Sequence, residues 1–117
     1  MNGVETISSV VAPIGLLVCD NHQNIVNVDR MFEEMFSVPS ERILGKPIYE
    51  VLGSEDLHAD LLSLFLFGEP ISDRLCWATL PGKDNARLIR LNASSIRLED
   101  QNENDGYFVS VEDVSID

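Results

Sequence analysis

The stretch Asn24–Val38, NIVNVDRMFEEMFSV, changes its hydrophobic period at one residue. Up to Val28 it reads as a short strand. From Arg30 the apolar residues Met31, Met35 and Val38, with Phe32 and Phe36 beside them, recur at spacings of three and four. That period predicts a helix over 30–37. Asp29 stands at the junction, and its carboxylate suits the free N–H groups of a first helical turn. Before this junction, IGLLVCD is an apolar run of strand length, followed by the polar turn DNHQN. Asp20, Asn21 and Asn24 favour bonding to their own backbone there, so the chain should open with an antiparallel hairpin.

Helical spacing dominates the middle of the chain. VPSERILGK predicts a single helical turn, with Pro39 at its start and Gly45 in the left-handed position after it. SEDLHADLLSLFLFG predicts the longest helix, Glu55 to Phe67, capped by Ser54 and closed by Gly68. Leu57, Leu61, Leu64 and Phe65 share one face, and Leu62 and Leu66 should broaden it. Beyond this point the pattern becomes strand-like in three segments, ISDRLCWATL, ARLIRLNASSIRL and YFVSVEDV, joined by PGKD and by a polar loop ending at Gly106. In the second segment Ile89, Leu91 and Ala93 have one parity and Ile96 and Leu98 the other. A bulge near Ser94–Ser95 would bring both groups to one face. At the start, residues 4–12 form a mildly amphipathic segment with Val4, Ile7, Val10 and Val11 on one side, which Pro13 should end.

Two strands at the start and three at the end must share one sheet, because an isolated hairpin is barely stable. The helices between them should cover one face. The expected class is α+β, with a five-stranded antiparallel sheet and helices packed across one side.

Composition narrows the function more than it shapes the fold. A chain of 117 residues, 44% hydrophobic and 24% charged, is one ordinary globular domain by length. With 20 acidic against 8 basic residues, its net charge of −12 would be repelled by nucleic-acid phosphates and anionic lipid surfaces. No stretch approaches the roughly 20 apolar residues that span a bilayer, so neither a nucleic-acid partner nor membrane insertion is expected. Cys19 and Cys76 lie far apart inside apolar runs, as reduced buried thiols of a cytoplasmic protein do. Catalysis is not expected either: only two histidines occur, His22 in a polar turn and His58 among Glu55, Asp56 and Asp60. Nothing supplies a metal set or a phosphate-binding glycine loop.

The order of these pieces resembles the PAS (Per-ARNT-Sim) sensor domains. PIGLLVCDNHQNIVNVDRMFEEMFSVPSERILGKPIYEVL is similar to that family's opening block. Asp29 stands where the family usually has Asn, Phe32 stands at its helix Phe, and Ile43-Leu44-Gly45-Lys46 at its aliphatic–Gly–Lys turn. FVSVEDVSID is similar to the family's closing strand, with Asp113, Val114 and Ser115 in place of Asp-Ile-Thr.

The resemblance implies a flanking helix over 1–13 and a sensor domain over 14–117. It further implies a cytoplasmic regulatory input to an effector in the same full-length chain, of the bacterial histidine kinase or diguanylate cyclase type. Val18, Val28, Phe32, Phe36, Leu61, Phe65, Leu91 and Val109 would line an apolar pocket or simply pack as core. Trp77 would stack on a ligand or fill a sheet face. Asp113 and Ser115 would carry the signal out, and Val4, Ile7 and Val11 would join two protomers in a homodimer. The expected cofactor is none, or a small organic ligand; haem would require His58 as its axial ligand. Flavin photochemistry would need a cysteine in an Asn-Cys-Arg-Phe run, and neither Cys19 nor Cys76 lies in one. The alternative is a ligand-free module that dimerises through its sheet.

Overall fold

The computed structural model describes residues 13–79, 85–96 and 106–114. The flanking segment with Val4, Ile7 and Val11, the residue Ser115, and the second half of the pattern around Leu98 lie outside the described residues. Strands β1 (Ile14–Asp20) and β2 (Ile25–Val28) form the opening hairpin. Asp20 shapes its turn: its carboxylate accepts from the N–H groups of His22 and Asn24 at 2.8 and 3.0 Å. Helix α1 (Arg30–Phe36), a 3₁₀ turn (Ser40–Arg42), and helices α2 (Ile48–Val51) and α3 (Glu55–Phe67) follow. The chain closes with β3 (Ile71–Ala78), β4 (Arg87–Ile96) and β5 (Gly106–Asp113).

All five strands form one antiparallel sheet in the order β2-β1-β5-β4-β3. The first strand therefore pairs with the last, and the sheet exists only when both chain ends have met. One face is apolar along most of its length, ending at the Arg87–Asp113 pair. Leu17 and Cys19 of β1, Val109 and Val111 of β5, Ile89 and Leu91 of β4, and Cys76 of β3 are buried beneath the helices with Phe32, Phe36, Leu57, Leu61 and Leu64.

Backbone pairing straps the helical layer to both edges of the sheet. Along β2, the Gly45 N–H donates to the Ile25 carbonyl at 2.7 Å, and the Ile25 N–H donates to Lys46 at 2.8 Å. At the opposite edge Gly53 and Thr79 exchange two bonds of 3.0 and 2.8 Å beside the start of α3. Both otherwise open strand edges are thus partly occupied by the chain's own backbone, which blunts edge-to-edge association. Gly45, at φ +87°, makes the first strap possible by adopting the left-handed conformation predicted for it.

Several local expectations are corrected. The pairing of β4 with β5 runs without interruption from Ile89–Asp113 to Ile96–Gly106, so no bulge occurs at Ser94–Ser95. The irregularity lies across the ladder on β3, between Ile71 and Arg74, where Asp73 takes φ +50° and its N–H donates to the Asn92 side chain at 2.8 Å. An edge strand has a free side and can absorb an extra residue, whereas β4 is paired on both sides. Helix α1 ends at Phe36, with Ser37 left-handed. The α2 turn was not foreseen: its four residues, IYEV, are too few to show a period. Leu62 and Leu66 do not broaden the buried stripe of α3, since Leu66 is 68% exposed and Leu62 also faces solvent. A helix lying across a sheet buries a stripe about 100° wide and leaves the rest of its surface to solvent.

Candidate functional site

Asp29 positions the first helix. One carboxylate oxygen accepts from the Phe32 N–H at 2.9 Å, as an N-cap does, and from the Leu16 N–H at 3.0 Å. Its own N–H donates to the Leu16 carbonyl at 3.0 Å. One residue therefore caps α1 and fastens its start to β1. Gly15 completes the contact, because a Cβ there would come within 2.8 Å of the Cα of Phe32.

The inner layer between helices and sheet is the first candidate site. The structure brings Phe32, Phe36, Leu61, Leu91 and Val109 together in it, all buried, with Phe65 and Val28 half-buried against the same core. The layer is filled by close aromatic packing. Phe32 and Phe36 meet edge-on at 4.7 Å, and Phe65 meets Tyr107 at 4.9 Å. Tyr107 was not singled out from the sequence; only its alternation with Val109 and Val111 marks it as inward-facing. Val18 departs from the expected set. Strand alternation turns it to the other face, where it lines a shallow groove with Leu16, Asn27 and Phe108.

That second face carries no described helix. Ile14, Leu75, Trp77 and Phe108 stand exposed on it, Trp77 to 59%, with Leu16, Val18 and Leu88 half-buried among them. Arg90 and Glu112, directly opposed on β4 and β5, pair across its centre at 2.9 Å. Trp77 thus faces outward rather than filling the core, opposite Leu88.

At the exit of β5, Asp113 accepts from Arg87 of β4 through Nε at 3.2 Å and Nη2 at 3.0 Å. The carboxylate side chain is only 11% exposed, so the ion pair is shielded from solvent. The following N–H, of Val114, donates to Leu88 at 2.9 Å. The end of the last strand is therefore tied to β4 by both side chain and backbone.

His58 lies on the solvent side of α3, in an open depression beside Gly53, Ser54 and Glu55, and does not point into the layer beneath. His22 is exposed in its turn. Among the described residues no group of three or more His, Cys, Asp or Glu is placed to hold a metal. Both cysteines are free and buried. Burial, with the nearby Asp20 carboxylate, pushes the Cys19 thiol from 9.0 up to about 12. Burial also raises Cys76, against opposing contributions from a Ser54 hydrogen bond and the Arg74 charge. Neither thiol should therefore react with an aromatic disulfide reagent at pH 8 until denaturant is added, and then two should titrate; prompt labelling of Cys19 in the native protein would contradict its burial. Because the folded Cys19 pKa is raised, its contribution to stability is intact below pH 9 and declines between pH 9 and about 12, as the unfolded thiol ionises first.

The sequence model of the PAS fold family matches residues 3–114. The chain is a PAS domain. Solved structures agree in fold. The LOV domain of the Erythrobacter litoralis EL346 blue-light activated histidine kinase superposes with a TM-score of 0.69 at 21% identity, covering 89% of this chain and 98% of that one. The PAS domain of nitrogen regulation protein NR(II) from Vibrio parahaemolyticus gives 0.62 at 16% identity, covering 86% and 89%. The PAS domain of a Colwellia psychrerythraea protein gives 0.68 at 13% identity, covering 96% and 97%. A comparison with curated protein sequences finds no match. No helix among the described residues is long and apolar enough to cross a membrane.

Proposed function

We propose that this PAS domain is a cytoplasmic regulatory input module of a larger bacterial signalling protein, of the histidine kinase or diguanylate cyclase type. In this reading it self-associates through the outer face of its sheet and passes its state onward through the end of β5. The observation that carries the reading is the placement of Ile14, Leu75, Trp77 and Phe108 on the face left without a described helix. That face includes β5, whose last residue, Asp113, is held by Arg87 of β4. A change in what covers the sheet would alter its twist and the packing between sheet and helices. Asp113 and Ser115 would then deliver that shift to a connector, as a population change between two packings. Val4, Ile7 and Val11 would extend the same contact between protomers. The enzymatic step belongs to the effector.

Sedimentation tests the association. Trp77→Asp should weaken dimerisation about 30-fold, as loss of an aromatic anchor does, and should leave the unfolding midpoint in place at concentrations where the wild-type chain is monomeric. Ile7→Asp should act in the same direction. Unchanged sedimentation in Trp77→Asp, or a wild-type chain that stays monomeric at high concentration, would remove the reading.

A second reading is a small ligand in the inner layer. It is favoured by the largely apolar lining, to which Tyr107 adds a phenol hydroxyl. Such a ligand would be a compact apolar molecule that displaces the Phe65–Tyr107 contact. Native mass spectrometry distinguishes the two readings: an adduct kept under gentle conditions and lost on denaturation supports the ligand, and a bare mass supports the association module.

A further inference from the structure

The basic side chains of this acidic chain are unevenly engaged. Arg30 pairs with Glu34, Arg74 with Asp60, Arg87 with Asp113 and Arg90 with Glu112. Arg42 and Lys46 make no ion pair with a described residue, and both line one groove of about 300 Å³. The groove lies between the end of α1, the 3₁₀ turn and α2. Val38, Pro39 and Val51 give it apolar lining, and Glu50 lines it together with the two cations.

The backbone beneath both cations is fixed. The Arg42 N–H donates to Pro39 at 3.0 Å, and Lys46 is held by its bonds to Ile25 and Ile43. The backbone beneath the groove is therefore already ordered, and the ordering cost of binding falls on the two exposed side chains. With Glu50 set against Arg42 and Lys46, the groove carries one net positive charge on a protein of net charge −12.

We propose that this groove binds a small organic anion: an oxyanion headgroup held by Arg42 and Lys46, with an apolar body resting on Val38, Pro39 and Val51. Arginine presents a planar fork that matches a phosphate or carboxylate in two parallel bonds, and lysine adds a point charge. The remaining negative charge of the domain does not forbid this, because charges beyond about 8 Å are largely screened at physiological salt. It does disfavour polyanions, which would approach the acidic surface over a wide area. The site lies on the outside of the helical layer, separate from both the aromatic inner layer and the sheet face that carries no described helix.

Titration of the ¹⁵N-labelled domain with phenyl phosphate, benzoate and inorganic phosphate tests the assignment. Phenyl phosphate or benzoate should give saturable amide shifts confined to residues 37–51, and their ratio assigns the headgroup. Inorganic phosphate, lacking the apolar body, should bind about 10-fold more weakly. The double change Arg42→Gln and Lys46→Gln should weaken the better probe by at least about 10-fold, while the unfolding midpoint stays in place because both side chains are exposed. Trp77→Asp should leave the titration unaltered, so this site and the self-association fail separately. Shifts that do not saturate, that spread equally to Arg74 and Arg90, or that survive the double change would overturn the proposal. So would a tetraglutamate peptide that binds where neither small probe does.

Discussion

Phe32→Ala should destabilise the domain by about 3–5 kcal/mol, measured by urea unfolding. That is a large part of the stability of a domain this size. Phe32 is fully buried, meets Phe36 edge-on at 4.7 Å, and sits directly above Gly15 of β1. The cost combines lost apolar burial with a cavity that the sheet beneath cannot collapse to fill. Gly15→Ala attacks the same contact from the other side. Its new methyl would lie 2.8 Å from both the Cα and the Cβ of Phe32, so α1 itself must lift from the sheet. Overpacking of this kind costs about 1–3 kcal/mol. Because the obstruction includes helix backbone, removing the ring should not relieve it. Gly15→Ala should remain destabilising in the Phe32→Ala background, and full rescue there would show that the approach is set by the ring alone.

Asp29→Ala should cost about 2–4 kcal/mol, more than an ordinary helix cap. Loss of a cap accounts for about 1 kcal/mol of this. The remainder comes from the Leu16 N–H, left without its acceptor in a partly buried position. Asp29→Asn keeps an acceptor oxygen at the same place and should cost less than about 1 kcal/mol. Equal losses for the two variants would mean that the carboxylate charge, and not the pair of accepted bonds, holds α1 to β1. Hydrogen exchange offers a second reading: in Asp29→Ala the amides of Leu16 and Phe32 should lose protection before those of α3 do.

Asp29 also shows how far a sequence can be read. That it caps a helix followed from the change of period beside it. That the same oxygen reaches back to Leu16, thirteen residues earlier, did not, because no local pattern encodes the return of a helix across its own hairpin. The inner layer divides in the same way. Phe32, Phe36, Leu61, Leu91 and Val109, which the family resemblance groups as pocket or core, are buried in one cluster. Val18 was misplaced because a run such as IGLLVCD is apolar at nearly every position and does not announce which parity faces inward.

The sequence by itself determined the order of the five strands and of the helices other than α2, and most of their limits to within one or two residues. It also determined the two predicted helix caps and the single shared sheet, because each rests on interactions within a few residues or on the need of a hairpin for further strands. Only the tertiary structure decided which face of that sheet carries no described helix, where the β3 irregularity falls, and that Arg42 and Lys46 share a groove while the other described cations are paired. Those features depend on groups distant in the chain meeting in space, at separations that neither helical nor strand periodicity records.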